Sequence, residues 1–154
     1  MGENPGLFFE DIQLGHEMES PRHVVTREDI LAFAKLSRDE TPLHVDDSFA
    51  AQTPFGGIIA HGLLGLALIE GLKSRLGLFD RSSVASLSWD RVQFRKPIYP
   101  GDEVHVRWSF IRAQDQPGLG RGLVVEQTAL INQNGVVVTA AQHTLVVRRR
   151  DAEA

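Results

Sequence analysis

Between His61 and Leu76 the chain carries Leu63, Leu64, Leu66, Ala67, Leu68, Ile69, Leu72 and Leu76, a density that leaves almost no polar face. A helix that is apolar around most of its circumference is stable only when it is surrounded. Gly62, Gly65 and Gly71 each lower its intrinsic helicity by roughly 1 kcal/mol relative to alanine, so close packing against a covering layer has to compensate. The remainder of the chain must therefore supply something that wraps a helix.

The C-terminal half supplies strands. Val84–Trp89, Val92–Phe94 and above all Val104-His105-Val106-Arg107-Trp108-Ser109-Phe110 alternate in the period of a half-buried strand. Asn134-Gly135 is the strongest hairpin signal in the chain, because both positions of the tightest turn need a positive φ that these residues tolerate. It joins residues 119–133 to 136–147, and a two-residue turn sets Glu126 opposite His143 and Val125 opposite Thr144. On this reading Glu126 and His143 make a cross-strand surface contact. An extended segment over 17–25 completes an antiparallel sheet of about five strands around one long helix, an α+β arrangement in a single domain over residues 1–154. The Gly/Pro-containing start and the polar end from Arg148 onward read as dispensable tails. An open-edged sheet with Trp108 and Phe110 to cover suggests side-by-side dimerisation.

Ahead of the buried helix, Thr26-Arg27-Glu28-Asp29 followed by Ile30, Leu31, Phe33, Ala34 and Leu36 reads as an N-capped amphipathic helix ending near Ser37. Pro42 pushes Thr41 toward extended geometry, so residues 38–45 read as a loop that carries both Asp39 and His44. Asp46 then caps a short helical turn through Phe49-Ala50-Ala51, and Thr53-Pro54-Phe55-Gly56-Gly57 breaks the chain again.

Composition narrows the chemistry. A formal net charge of -4 leaves no excess of basic groups for nucleic acid, and the absence of cysteine removes disulfides, thiolate metal sites and thiol nucleophiles. No leader or membrane-spanning stretch is legible, which predicts a cytoplasmic protein without a membrane partner. What remains is Asp39 and His44, a carboxylate and an imidazole suited to moving protons to and from water near neutral pH. Spacing alone also fits a bland reading, with Asp39 closing a turn and His44 packing. Gly56-Gly57-Ile58-Ile59-Ala60-His61-Gly62 runs into the buried helix, and free N–H groups at a helix start suit an oxygen gaining negative charge. Those glycines equally suit tight helix–sheet packing. His44 with Asp46 and Asp47 has no second histidine at ligand spacing, so no metal is expected. Arg91, Arg95 and Lys96 are solvated charges or phosphate contacts.

Three blocks together resemble the MaoC-like dehydratase and R-specific enoyl-CoA hydratase family. They are Leu36-Ser37-Arg38-Asp39-Glu40-Thr41-Pro42-Leu43-His44, Ile59-Ala60-His61-Gly62-Leu63-Leu64 and Phe94-Arg95-Lys96-Pro97-Ile98-Tyr99-Pro100-Gly101-Asp102-Glu103-Val104, and the likeness covers most of residues 8–147. The resemblance implies a hot-dog fold and hydration of a trans-2-enoyl thioester of CoA or acyl carrier protein to the (R)-3-hydroxyacyl thioester, or the reverse, without a cofactor. It implies that Asp39 and His44 handle the water, that the Gly62 N–H binds the thioester carbonyl, and that Thr41 and His61 contact substrate or its loop. Two neighbours depart from the family pattern, Arg38 standing for its glycine and Thr41 for its asparagine. Some relatives carry a small polar residue where this chain has Glu70, which needs a partner or water if buried. Thioester hydrolysis and a non-catalytic acyl-thioester-binding subunit are the competing readings for such a fold.

Overall fold

The computed structural model describes residues 6–152. Helix α1 (Arg27–Ser37) begins where the cap signal places it. The Thr26 hydroxyl accepts from the Asp29 N–H at 3.1 Å, and the Asp29 carboxylate accepts from the Thr26 N–H at 2.9 Å. This reciprocal box satisfies two of the donors that every helix start leaves open. The loop expected over 38–45 is partly helical: Pro42–Val45 forms a single turn, α2, with the proline at its first position, where a missing N–H costs nothing. Asp46 caps α3 (Asp47–Ala51) through the Phe49 N–H. The long helix α4 runs Gly62–Ser74.

The extended segment before α1 is two strands, β1 (Glu17–Glu19) and β2 (His23–Val24), and the sheet accordingly has six strands where about five were expected. Pro21 explains the break, since it has no N–H to continue a ladder. Ser20 bridges the gap: its N–H donates to the Val106 carbonyl and its hydroxyl accepts from the Val106 N–H. The remaining strands are β3 (Ser83–Phe94), β4 (Glu103–Gln116), β5 (Arg121–Asn132) and β6 (Val137–Arg148), in the antiparallel order β1-β4-β5-β6-β3, with β2 also on β4. The two short runs read at 84–89 and 92–94 are one strand, bulged between Asp90 and Gln93, where Arg91 takes φ 51°.

The predicted register holds, with Glu126 opposite His143 and Val125 opposite Thr144, but the turn is of another kind. Only Gly135 of the Asn134-Gly135 pair has positive φ. Its N–H bonds to the Asn132 carbonyl, Asn132 pairs with Val136, and the Asn132 side chain accepts from Asn134 and Val136. The loop is one residue longer than expected, and a bulge at Val138, between the pairs Ile131–Val137 and Leu130–Thr139, restores the register.

The sheet wraps α4, as the apolar circumference of that helix requires. Val104, Val106, Trp108, Leu130 and Val138 form one core with Leu64, Ile69 and Leu72 of the helix. Gly65 sits so close to the sheet that a Cβ there would lie 2.9 Å from the Thr139 hydroxyl, whereas Gly71 faces open space and its glycine has no packing reason. Trp108 and Phe110 are each 2% exposed, so they are covered within the chain and do not call for a second copy. The exposed apolar side chains of the sheet edge are instead Val84, Leu87 and Phe94 on β3.

Two further expectations are corrected. Glu126 and His143 are buried, not on the surface. Glu126 shares its face of β5 with Val124, Thr128 and Leu130, all turned inward, and there meets Lys73 of α4. The segment after β6 is also tied down: the Arg149 N–H bonds to the Gly120 carbonyl, and Arg149 and Arg150 pair with Glu10 and Asp11 of an N-terminal 3-10 turn. The expectation of dispensable ends otherwise falls on residues 1–5 and 153–154, outside the described residues. Among the described residues no helix is long and apolar enough to cross a membrane.

Candidate active site

Asp39 follows the residue that ends α1, Arg38, which turns the chain in the left-handed conformation at φ 66°. The Asp39 carboxylate is then caught locally. One oxygen accepts from the Thr41 hydroxyl at 2.6 Å and from the Thr41 N–H at 3.3 Å. These two bonds, with smaller contributions from the nearby His61 and His44 rings, hold the carboxyl below its ordinary value and keep it ionised. Thr41, which stands for the family's asparagine, thus works on Asp39.

His44 is placed by α2. Its Nδ1–H donates to the Ile59 carbonyl at 2.7 Å, an acceptor that can only receive a proton, so Nε2 of the neutral ring carries the lone pair. His61 comes from the other side, as the residue before α4. Its ring lies 3.8 Å from that of His44 at an interplanar angle of 27°, and its Nε2–H donates to the Asp39 carbonyl at 2.8 Å. Asp39, His44 and His61 therefore share one spot although 22 residues separate the first from the last.

A cavity of about 280 Å³ opens beside them, lined by His44, His61, Gly62, Phe94, Arg95 and Lys96 among others. The Gly62 and Leu63 N–H groups, first in α4, have no acceptor among the described residues, as expected at a helix start. A Cβ on Gly62 would lie 2.8 Å from the Phe94 ring, so glycine is needed here for clearance. Neither Asp39 nor Thr41 lines the cavity itself; both stand at its exposed rim next to the two imidazoles. Arg95 and Lys96 do line it, and Arg91 does not.

One ligand-capable atom each from Asp39, His44 and His61 lies within 4.8 Å of the others. The two rings are stacked, however, and a single cation cannot lie in both ring planes along their lone pairs unless the stack opens. The set is better arranged to hold one water between a carboxylate and an imidazole nitrogen.

Sequence reasoning missed a second polar cluster at the far end of α4. Lys73 bonds to both Glu126 and Glu70, His143 Nδ1 lies 3.0 Å from Glu126, and the Ser86 hydroxyl lies 2.7 Å from His143 Nε2. The available signal was the inward parity of Glu126 with Val124 and Thr128, and the spacing of Glu70 and Lys73 on α4.

Comparison with known proteins agrees with this architecture. The model of the MaoC like domain family matches residues 11–129. The chain is 36% identical over 101 residues to a 3-hydroxybutyryl-CoA dehydratase from Methylorubrum extorquens, covering 66% of this chain and 62% of that one. It is 40% identical over 76 residues to an (R)-specific enoyl-CoA hydratase from Aeromonas caviae, covering 49% and 54%. The alignments thus span less than two thirds of either curated relative. A solved MaoC-like dehydratase from Rhodospirillum rubrum superposes with a TM-score of 0.84 at 31% identity, covering 96% of this chain and all of that one (100%). Family match, hot-dog architecture and near-complete structural overlap lead to one conclusion: this chain belongs to the MaoC-like hydratase and dehydratase family.

Proposed function

We propose that this protein adds water across the double bond of a trans-2-enoyl thioester, giving the (R)-3-hydroxyacyl thioester, and runs the reverse dehydration. The observation that carries the reading is an ionised Asp39 at the rim of a cavity whose lining holds the bare Nε2 of His44 and the uncommitted N–H of Gly62. A water held between Asp39 and His44 gives up a proton as its oxygen bonds to C3. Asp39 receives that proton, while His44 orients the water and shares the delivery. The C2–C3 π electrons shift toward the thioester carbonyl, whose oxygen gains charge where the Gly62 N–H stabilises it. Return of the proton to C2 completes the addition, so that OH and H are both drawn from one water. Arg95 and Lys96, which line the cavity, would meet phosphate groups of the CoA or carrier-protein arm.

The test is loss of the conjugated enoyl-thioester absorbance when the protein meets crotonyl-CoA and longer trans-2-enoyl-CoAs, with chiral analysis of the product. Saturated acyl-CoA serves as the control. Thiol release from it, with no loss of the enoyl absorbance, would replace hydration by thioester hydrolysis.

The exposed β3 edge, with Val84, Leu87 and Phe94, supports a homodimer in which two sheets join through this strand. Sedimentation of the wild type as a dimer and of a Leu87→Lys variant as a monomer checks it.

A further inference from the structure

His61 is buried, at 3% exposure, at the start of α4. It stands in the capping position of α4 yet makes no side-chain cap bond to that helix. Its ring turns instead toward the catalytic loop. The bond from Nε2–H to the Asp39 carbonyl fixes the proton on Nε2 and leaves Nδ1 as a buried lone pair without a partner among the described residues. Leaving such an atom unsatisfied is costly, so retaining a histidine needs a compensating reason. Two ring contacts complete the setting: Phe33 of α1 lies tilted at 5.1 Å and His44 lies stacked at 3.8 Å. One imidazole thus touches α1, the Asp39 turn and the α2 ring, and covalently precedes the Gly62 N–H.

We infer that His61 is a positioning residue for the proposed hydration, setting the distance between the Asp39 carboxylate, the His44 Nε2 and the oxyanion-binding end of α4. This rests on the reading above. His61 does so through two separable contacts. The hydrogen bond ties the Asp39 carbonyl to α4, whereas the Asp39 N–H bonds to the Ser37 hydroxyl and, among the described residues, its side chain bonds only to Thr41 on the same exposed turn. The stack holds the face of His44, whose edge is secured by the Ile59 carbonyl.

Two substitutions separate the contacts. His61→Phe keeps a flat ring between Phe33 and His44 and removes the bond to Asp39, whereas His61→Gln restores an N–H donor of similar reach without the ring. A misplacement of about 1 Å costs on the order of 100-fold in rate, so His61→Phe is expected to lower kcat by about 10- to 100-fold with KM within about threefold. His61→Gln is expected to recover a substantial part of that loss. Placing His61→Phe on an Asp39→Asn background is expected to add little, because His61 acts through Asp39. A KM rise with unchanged kcat, no rescue by glutamine, or full additivity with Asp39→Asn overturns the inference. Turnover of the enoyl-CoA panel by the wild type tests the reaction separately. Should the wild type prove inactive, amide hydrogen exchange over residues 38–44 decides the positioning role: faster exchange in His61→Phe supports it, and unchanged exchange overturns it.

Discussion

The two ends of α4 hold comparable chemistry in opposite ways. At its start, Asp39 is exposed, and its charge is maintained by two bonds from Thr41, two residues away. At its far end, Glu126 is fully buried. Burial pushes its carboxyl upward, and the bond from His143 together with the charge and hydrogen bond of Lys73 more than offset this, leaving it below its ordinary value. Those partners come from β6 and α4, 17 and 53 residues distant in sequence. A locally held charge can be altered without disturbing the fold, whereas a charge held across the core is part of the fold. The first end is thus free to do chemistry, and the second is committed to fixing how the sheet sits on the helix.

The largest expected effect lies at the first end. Asp39→Asn and His44→Gln should each lower the hydration rate by about 10²- to 10⁴-fold, the range for loss of a positioned acid or base. Neither should shift the melting temperature by more than about 2 °C, since an exposed carboxylate and a rim imidazole contribute little burial. An unfolded Asp39→Asn protein would erase the distinction between the two ends.

At the second end the effect should be on stability. Lys73→Met leaves the buried Glu126 without its cation, a change that costs about 3–5 kcal/mol. Chemical denaturation measures it, and the double variant Lys73→Met with Glu126→Leu should regain much of the loss because no buried charge then remains unmatched. The pH dependence follows from the depressed Glu126 value. The stability it confers is fully present above its ordinary value of 4.5 and is lost as pH falls through the lower folded-state value. In Lys73→Met, burial acts with one opponent fewer and the folded value rises. The stability gap between wild type and variant is therefore widest near neutral pH and narrows in acid. A gap that stays constant from pH 7 to about pH 3 would show that Lys73 contributes packing and not charge.

Between these lies Gly62. Gly62→Ala drives a methyl against the Phe94 ring, an exposed side chain that can swing aside, so the fold should survive. The swung ring encroaches on the cavity it lines, and any shift of the Gly62 N–H from its proposed place beside the thioester oxygen costs up to about 3–4 kcal/mol. A fall of about tenfold or more in kcat/KM with a nearly unchanged melting temperature is expected. Equal loss of both would place Gly62 with the core.

Local signals in the sequence announced the parts of the molecule that local bonds hold. Thr26 and Asp29 announce α1, Asp46 announces α3, and the unbroken apolar run announces α4, each through contacts within one or two turns. The Asn134-Gly135 signal announced the Glu126–His143 register, but strand parity left its burial open, because Leu123, Val124 and Val125 are apolar on both faces and do not say which one meets the helix. Lys73 was legible only as the i,i+3 neighbour of Glu70. Its burial is set by a partner on β5, not by its neighbours. At the candidate site the nearness of Asp39 and His44 was legible from the Pro42-constrained segment. The direction of the His61 ring was not, since it depends on α1 and α2 meeting the start of α4.

Arg38 makes the smallest test and the sharpest one for the first end. It occupies the left-handed region at φ 66°, which costs a non-glycine residue roughly 1–2 kcal/mol. Arg38→Gly removes that strain and at the same time gives the unfolded chain more freedom, worth about 0.4–1 kcal/mol in the opposite direction. The net gain should be about 0.5 kcal/mol, a rise of about 1–2 °C in melting temperature for a domain of this size. Arg38 adjoins Asp39, so its backbone freedom bears directly on the carboxylate proposed to take the proton from water. If Asp39 is held by Thr41 and His61, kcat stays within about twofold while stability rises. A marked fall in kcat would mean that the stiff left-handed turn itself aims Asp39, and the charge at this end would then depend on the fold of α1 as Glu126 depends on the core.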